Sequence, residues 1–165
     1  MMAKMKAGFI LWSVTAATAQ ANCNPPYTTL LACDIYHSDA RVEFCMQGKE
    51  APDGSWKERI SYNFTRGIGL AELYFETDQI VASTKYWHLV SLDSQTRTDS
   101  LGAVHGNHVY AAFLTGIQDD YASAVQIHVY DSVEAYENDQ GEVEIQRLYC
   151  DPESVLMDGD RFVPG

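Results

Sequence analysis

Cys33-Asp34-Ile35-Tyr36-His37-Ser38-Asp39-Ala40-Arg41-Val42-Glu43-Phe44-Cys45 is the stretch that decides the fold. Two short runs alternate apolar and polar residues, the signature of a half-buried strand. Between them His37-Ser38-Asp39-Ala40 makes a polar turn. The stretch therefore reads as a hairpin, with strands over 30–36 and 41–47. Downstream, the region 56–65 alternates with Trp56, Ile60, Tyr62 and Phe64 in one parity. In 70–76, Ala71, Leu73 and Phe75 read inward and Glu72, Tyr74 and Glu76 outward. Pro52-Asp53-Gly54 and Gly67-Ile68-Gly69 supply the turns, because Pro presets φ and Gly accepts positive φ.

Further strands are expected over 85–92, 97–104, 108–114, 124–130 and 142–150, with a tight turn at His105-Gly106-Asn107. The polar stretch 132–141 reads as a loop with one helical turn at 133–137, and 151–165 as a tail. Strands of this length, punctuated by turns and without a long helical period, predict an all-β protein. The expected architecture is an antiparallel β-sandwich or barrel of about eight to nine short strands.

The N-terminus reads as a separate signal. Lys4 and Lys6 precede the short apolar run 7–14, and Ala19-Gln20-Ala21 offers a small-x-small cleavage site. The apolar run is shorter than the roughly 20 residues a spanning helix needs. The expectation is a cleaved signal peptide over 1–21, a single β-rich domain over 22–165, a bacterial periplasmic or secreted location, and no membrane attachment after cleavage. Cys23, Cys33, Cys45 and Cys150 all follow the signal, and an even count in an exported chain predicts two disulfides. Of the three possible pairings, Cys33 with Cys45 would close the first hairpin and Cys23 with Cys150 would tie the termini; this pairing is the expected one.

The chain carries 11 basic and 23 acidic residues, net −12; without Lys4 and Lys6 the balance is 9 against 23, or −14. From Asp119 to Asp160 twelve acidic residues face one basic residue, Arg147. Such a chain lacks the basic footprint that nucleic acid requires. Its charge suits a basic partner instead.

The order Arg41-Val42-Glu43-Phe44-Cys45, Tyr62-Asn63-Phe64 and Gly69-Leu70-Ala71-Glu72-Leu73-Tyr74-Phe75 resembles a group of small exported, disulfide-bonded bacterial β-proteins. Val109-Tyr110 and the closing Leu148-Tyr149-Cys150 resemble their later part; Thr65-Arg66 intervene where their pattern has glycine. The resemblance implies an exported β-protein and carries over no catalytic or binding residue. Bacterial inhibitors of lysozyme are similar in size, compartment and β-architecture, though this chain departs from their Ser-Gly-x-x-Tyr motif.

No nucleophile elbow, phosphate loop or His-Glu-x-x-His stretch is present, and no cofactor is expected. Two functional readings remain. In the first, the chain binds a basic exported protein, as an inhibitor or immunity protein would. Its contact surface would be acidic and tyrosine-rich, with Tyr110, Tyr130, Glu134, Tyr136 and Glu137 as the partner-binding residues. In the second, an enzyme carries a metal site on the strand face, formed by convergence of His88, His108 and His128. That site requires His108 and His128 to share a face of the late hairpin.

Overall fold

The computed structural model describes residues 23–89, 94–117, 120–138 and 143–158. The expected signal segment 1–21 lies outside them. Ten strands form: β1 (Thr28–Asp34), β2 (Ala40–Glu50), β3 (Trp56–Arg66), β4 (Leu73–Thr77), β5 (Ile80–Leu89), β6 (Ser94–His105), β7 (His108–Ile117), β8 (Asp120–Tyr130), β9 (Gln146–Tyr149) and β10 (Leu156–Met157). Among the described residues one short helix, α1 (Val133–Glu137), lies between β8 and β9. The all-β expectation holds, with two antiparallel five-stranded sheets ordered β10-β1-β2-β3-β4 and β5-β6-β7-β8-β9.

Each of β1 to β9 neighbours its predecessor or successor in sequence, and β10 returns to lie beside β1. The chain is thus a meander wound once round a flattened core. It passes from the first sheet to the second through only Asp78 and Gln79. It returns after β9 through a 3-10 turn, Pro152–Ser154. Because strands alternate in direction, the β1–β2 and β3–β4 turns and the segment after β9 gather at one end of the sandwich. The β2–β3 and β6–β7 turns and α1 gather at the other.

Period-two alternation sends one parity of each strand inward. From the first sheet these are Ala40, Val42, Phe44 and Met46, facing Ile60, Tyr62 and Phe75. The second sheet answers with Leu101, Ala103, Ala112, Leu114, Val125 and Ile127. A bulge in β1 between Thr29 and Leu31 turns both Leu30 and Leu31 into this core. Aromatic rings close it, with Tyr62 centred 5.0 Å from both Phe44 and Tyr110.

A second, smaller core lies on the other face of the second sheet. There Val104, Val109, Ala111, Phe113 and Tyr130 are covered by Tyr136 of α1. Ser132 caps that helix by accepting from the Ala135 backbone N–H at 3.1 Å. Gly102 sits under the layer, where a Cβ would come within 2.8 Å of Val109 Cγ1 and 2.9 Å of Val81 Cγ2.

The turn glycines behave as their sequence contexts imply. Gly54, Gly67 and Gly106 have φ of 79°, 62° and 61°, conformations that a side chain would strain.

The expected cysteine pairing is overturned. Cys23 is bonded to Cys45 and Cys33 to Cys150. The reason is register. Cys33 lies opposite Val42 and faces the main core, whereas Cys45 lies opposite Thr29 on the other face of the sheet. Cys45 is also three residues beyond Val42, about 10 Å along the strand. Two cysteines on opposite faces cannot be bridged.

Candidate functional site

The end of the sandwich holding the β1–β2 turn is where the two sheets are sewn together. The turn itself is tightly determined. Ile35 N–H donates to Ala40 O at 2.8 Å and Ser38 N–H to Ile35 O at 3.1 Å. His37 adopts φ 56°, in the left-handed region. Ser38 Oγ accepts from Ala40 N–H at 3.1 Å. Asp39 O accepts from Gly67 N–H at 2.9 Å, which ties the neighbouring β3–β4 turn to this one.

Beyond β1 the chain pairs with the end of β9. Ile35 and Cys150 form an antiparallel bridge. Tyr36 N–H donates to Tyr149 O and Asp151 N–H to Asp34 O, both at 2.8 Å. Ser154 Oγ accepts from Asp34 N–H at 2.9 Å and donates to Asp151 O at 2.8 Å. The Cys33–Cys150 disulfide staples the inner side of this seam. The backbone here is therefore fixed, and the side chains it presents are held in place.

Two concavities flank the seam. One is an apolar cleft of about 360 Å³ whose lining includes Tyr36, Val125, Tyr149, Pro152 and Val155. Its two tyrosines are 54% and 53% exposed, whereas Tyr62 and Tyr130 are buried. The other is a polar hollow of about 770 Å³ bordered by Asp34, His37, Ser38, Asp39 and Asp151. The chain alternates between them. Tyr36 lines the cleft while Ile35 and His37 border the hollow; Cys150 and Pro152 line the cleft while Asp151 borders the hollow.

The charge at this end is acidic. Arg41 Nη1 lies 2.7 Å from Asp34 Oδ1, and its Nε 3.0 Å from Glu43 Oε1. Burial pulls the Arg41 guanidinium down, but hydrogen bonds to Asp34 and Glu43 outweigh it and the net shift is upward. Arg41 is thus a permanent cation shared between two carboxylates. Among the described residues no cation is paired with Asp39 or Asp151. Ile68 and Leu70 stand fully exposed on the adjoining β3–β4 turn.

A second polar cluster lies on the outer face of the first sheet. Tyr74 Oη donates to Glu76 Oε1 at 2.6 Å, and Arg59 Nη1 lies 3.3 Å from Glu76 Oε2. The hydrogen bond to Glu76 pushes the Tyr74 phenol up to about 12. Bonds from Tyr74 and Tyr27 hold the Glu76 carboxyl below its usual value. These groups satisfy one another and leave little unmet demand for a ligand.

The residues expected to bind a partner are scattered. Tyr130 and Tyr136 are buried in the second core, where Ser100 Oγ and Tyr136 Oη lie 2.8 Å apart. Tyr110 packs inward against Tyr62 and Phe75. Glu134 and Glu137 are exposed on α1, at the end away from the seam. An exposed surface built on Tyr110, Tyr130 and Tyr136 is therefore corrected. Strand propensity accounts for Tyr110 and Tyr130 in the sequence pattern, and packing took them inside; Tyr136 is buried as the inward residue of α1.

The three-histidine site also fails. Val109 lies opposite Tyr130 and Ala111 opposite His128, so residues of unlike parity share a face of this hairpin. His108, in parity with inward-facing Tyr110, and His128, in parity with Tyr130, therefore lie on opposite faces. His128 is buried against Phe113, with ring centroids 4.3 Å apart. Its ring nitrogens lie 3.1 Å from Tyr130 Oη and 2.9 Å from Gln126 Oε1. The His88 side chain lies outside the described residues. Among the described residues no group of three His, Cys, Asp or Glu is placed to hold a metal ion.

The seam site was not legible beforehand. Tyr36 and Asp39 lie more than a hundred residues from Tyr149 and Asp151, and the Ile35–Cys150 bridge, just beyond the ends of β1 and β9, brings them together. The available signal was a tyrosine close to a half-cystine at each place, Tyr36 three residues after Cys33 and Tyr149 directly before Cys150.

No protein-family model, curated protein or solved structure matches this chain.

Proposed function

We propose that this is an exported binding protein that caps a basic protein, in the manner of an inhibitor or immunity protein, and that the seam end is its contact surface. The observation that carries the reading is the juxtaposition of exposed Tyr36 and Tyr149 with the carboxylates of Asp39 and Asp151, which pair with no cation among the described residues, on a stapled backbone. Exposed tyrosines are favoured at interfaces because each offers a large contact at low entropic cost. Rigid presentation lowers the ordering cost of association. The acidic balance of the chain, −12 overall, suits steering toward a partner of opposite charge.

Export is supported by the signal-like segment 1–21 and by two disulfides, which persist in oxidising compartments. Among the described residues no helix is long and apolar enough to cross a membrane.

The test is affinity capture from periplasmic extract, run with the wild-type chain and with Asp39→Asn/Asp151→Asn. A basic protein retained by the wild type at low salt, released by salt and not retained by the variant is the expected result. Retention of the same protein by both chains, or of no basic protein by either, would sink the proposal.

A further inference from the structure

The cleft and the hollow lie back to back across one strand pairing, and this arrangement narrows what the partner must offer. The cleft is apolar and about 360 Å³, within the lower part of the range of ligand-binding pockets of roughly 300–1,000 Å³. Its walls include Val125, Pro152 and Val155, and its rim carries two aromatic faces, Tyr36 and Tyr149. A cleft of this lining takes an apolar or aromatic body. The hollow presents carboxylates, of which Asp34 is already engaged by Arg41 while Asp39 and Asp151 are not. Asp151 Oδ1 accepts from Glu153 N–H at 3.1 Å, so that carboxylate is oriented by a backbone contact.

Arg147, the nearest strand cation to Tyr149 in sequence, is in ion contact with Glu144. It also hydrogen-bonds the Tyr149 side chain, so this cation stands beside one wall of the cleft with Glu144 offsetting its charge.

We propose that the site recognises a segment in which an apolar or aromatic residue stands beside a lysine or arginine. The apolar side chain enters the cleft between Tyr36 and Tyr149. The neighbouring cation crosses the seam and meets Asp39 and Asp151. Adjacent Cα atoms are 3.8 Å apart and their side chains point to opposite sides of an extended chain. That alternation matches the way Tyr36 and His37, or Cys150 and Asp151, divide between the two concavities. This inference rests on the binding reading above and specifies the element recognised.

The test is titration of the full mature chain with end-blocked pentapeptides, followed by amide chemical shifts. Gly-Lys-Phe-Lys-Gly is the probe. Gly-Lys-Gly-Lys-Gly tests charge without the apolar body, and Gly-Glu-Phe-Glu-Gly tests the apolar body with the wrong charge. The probe should bind at least about tenfold more tightly than either control. Tyr149→Ala should weaken the probe about fivefold or more, and Asp39→Asn/Asp151→Asn should abolish the salt dependence. The Tyr149 backbone, and not its ring, makes the seam hydrogen bond, so the fold should survive; a thermal melt of each variant checks this.

Equal binding of the two lysine peptides would overturn the inference, since charge alone would then explain it. So would unchanged probe binding by a folded Tyr149→Ala chain. A captured basic protein whose retention is indifferent to Tyr149→Ala overturns this inference and leaves the binding reading standing. Specific probe binding without any captured basic protein does the reverse.

Discussion

Cys33 is bonded to Cys150, and Cys150 lies opposite Ile35, two residues beyond Cys33 on the same inward face. The longest covalent loop in the domain is thus closed where the two sheets are paired. The two half-cystines are 117 residues apart, against 22 for Cys23 and Cys45. Loop entropy alone assigns about 5 kcal/mol to the longer link and about 3 kcal/mol to the shorter. Cys33→Ser/Cys150→Ser should therefore lower the denaturation midpoint more than Cys23→Ser/Cys45→Ser. Peptide mapping without reduction checks the pairing itself. A 33–45 linked peptide, or a larger loss from the 23/45 pair, would contradict the structure.

Gly102 has no room for a methyl group. Its Cβ would overlap Val109 and Val81, both packed in the second core. Gly102→Ala should cost about 1–3 kcal/mol in urea unfolding, because overpacking forces neighbours off their rotamers. Gly54→Ala meets nothing within 4 Å but forces a side chain to φ 79°. It should cost about 1 kcal/mol, by backbone strain alone.

Tyr136 anchors α1 to the second sheet, and Glu134 and Glu137 face solvent. Tyr136→Ala should cost about 3 kcal/mol through loss of ring burial. It also leaves the Ser100 hydroxyl without its 2.8 Å partner. Glu134→Gln and Glu137→Gln should each stay within about 0.5 kcal/mol of the parent. Urea midpoints for the three variants decide it; a near-neutral Tyr136→Ala would mean that the helix is not docked.

Asp99 is a charged residue enclosed at 1% exposure. Thr84 Oγ1 donates to its Oδ1 at 2.7 Å. Arg97 Nε lies 2.8 Å from its Oδ2, within ion-pair distance though not aligned as a hydrogen bond. Removing the carboxylate with Asp99→Ala should cost about 2 kcal/mol. This is less than for a fully enclosed pair, because Arg97 keeps some access to water. Thermal melts of Asp99→Ala and Asp99→Asn should rank the alanine variant lower, since asparagine can still accept from Thr84.

Glu76 sets a pH dependence whose sign follows from its shift. Its folded carboxyl is held below the ordinary value of 4.5 by Tyr74 and Tyr27. The stability it contributes is therefore present above pH 4.5 and lost as pH falls through the folded value. Tyr74 is shifted the other way, from 10.0 up to about 12, so its contribution is complete below pH 10 and fades as pH rises toward 12. Glu76→Gln should flatten both limbs in a pH series of thermal melts. An unchanged acid limb would show that Glu76 is not coupled to the phenols.

Much of the fold was legible locally. The parity of 56–65 and 70–76 grouped Ile60, Tyr62 and Phe64 on one face of β3 and put Leu73 and Phe75 inward on β4, since period two leaves no freedom once one face is buried. Pro52-Asp53-Gly54 and His105-Gly106-Asn107 turn where expected, and the helical turn at Val133–Glu137 forms behind its serine cap. Other features were not legible. β5 begins at Ile80, and β10 is only two residues long, held by pairing with β1. The second core escaped notice because Phe113 and Tyr130 alternate like surface strand residues until Tyr136 of α1 covers them.

By itself the sequence determined the class of the fold, its turns, its acidic charge and the presence of two disulfide-forming pairs, because each depends on neighbours along the chain. Tertiary structure alone decided which cysteines meet, that His108 and His128 face apart, and that Tyr36 and Tyr149 flank one cleft. Those relationships depend on the register between strands and on the bridge between Ile35 and Cys150 beyond the ends of β1 and β9. Register is set by the whole buried face at once, so no local stretch of residues can specify it.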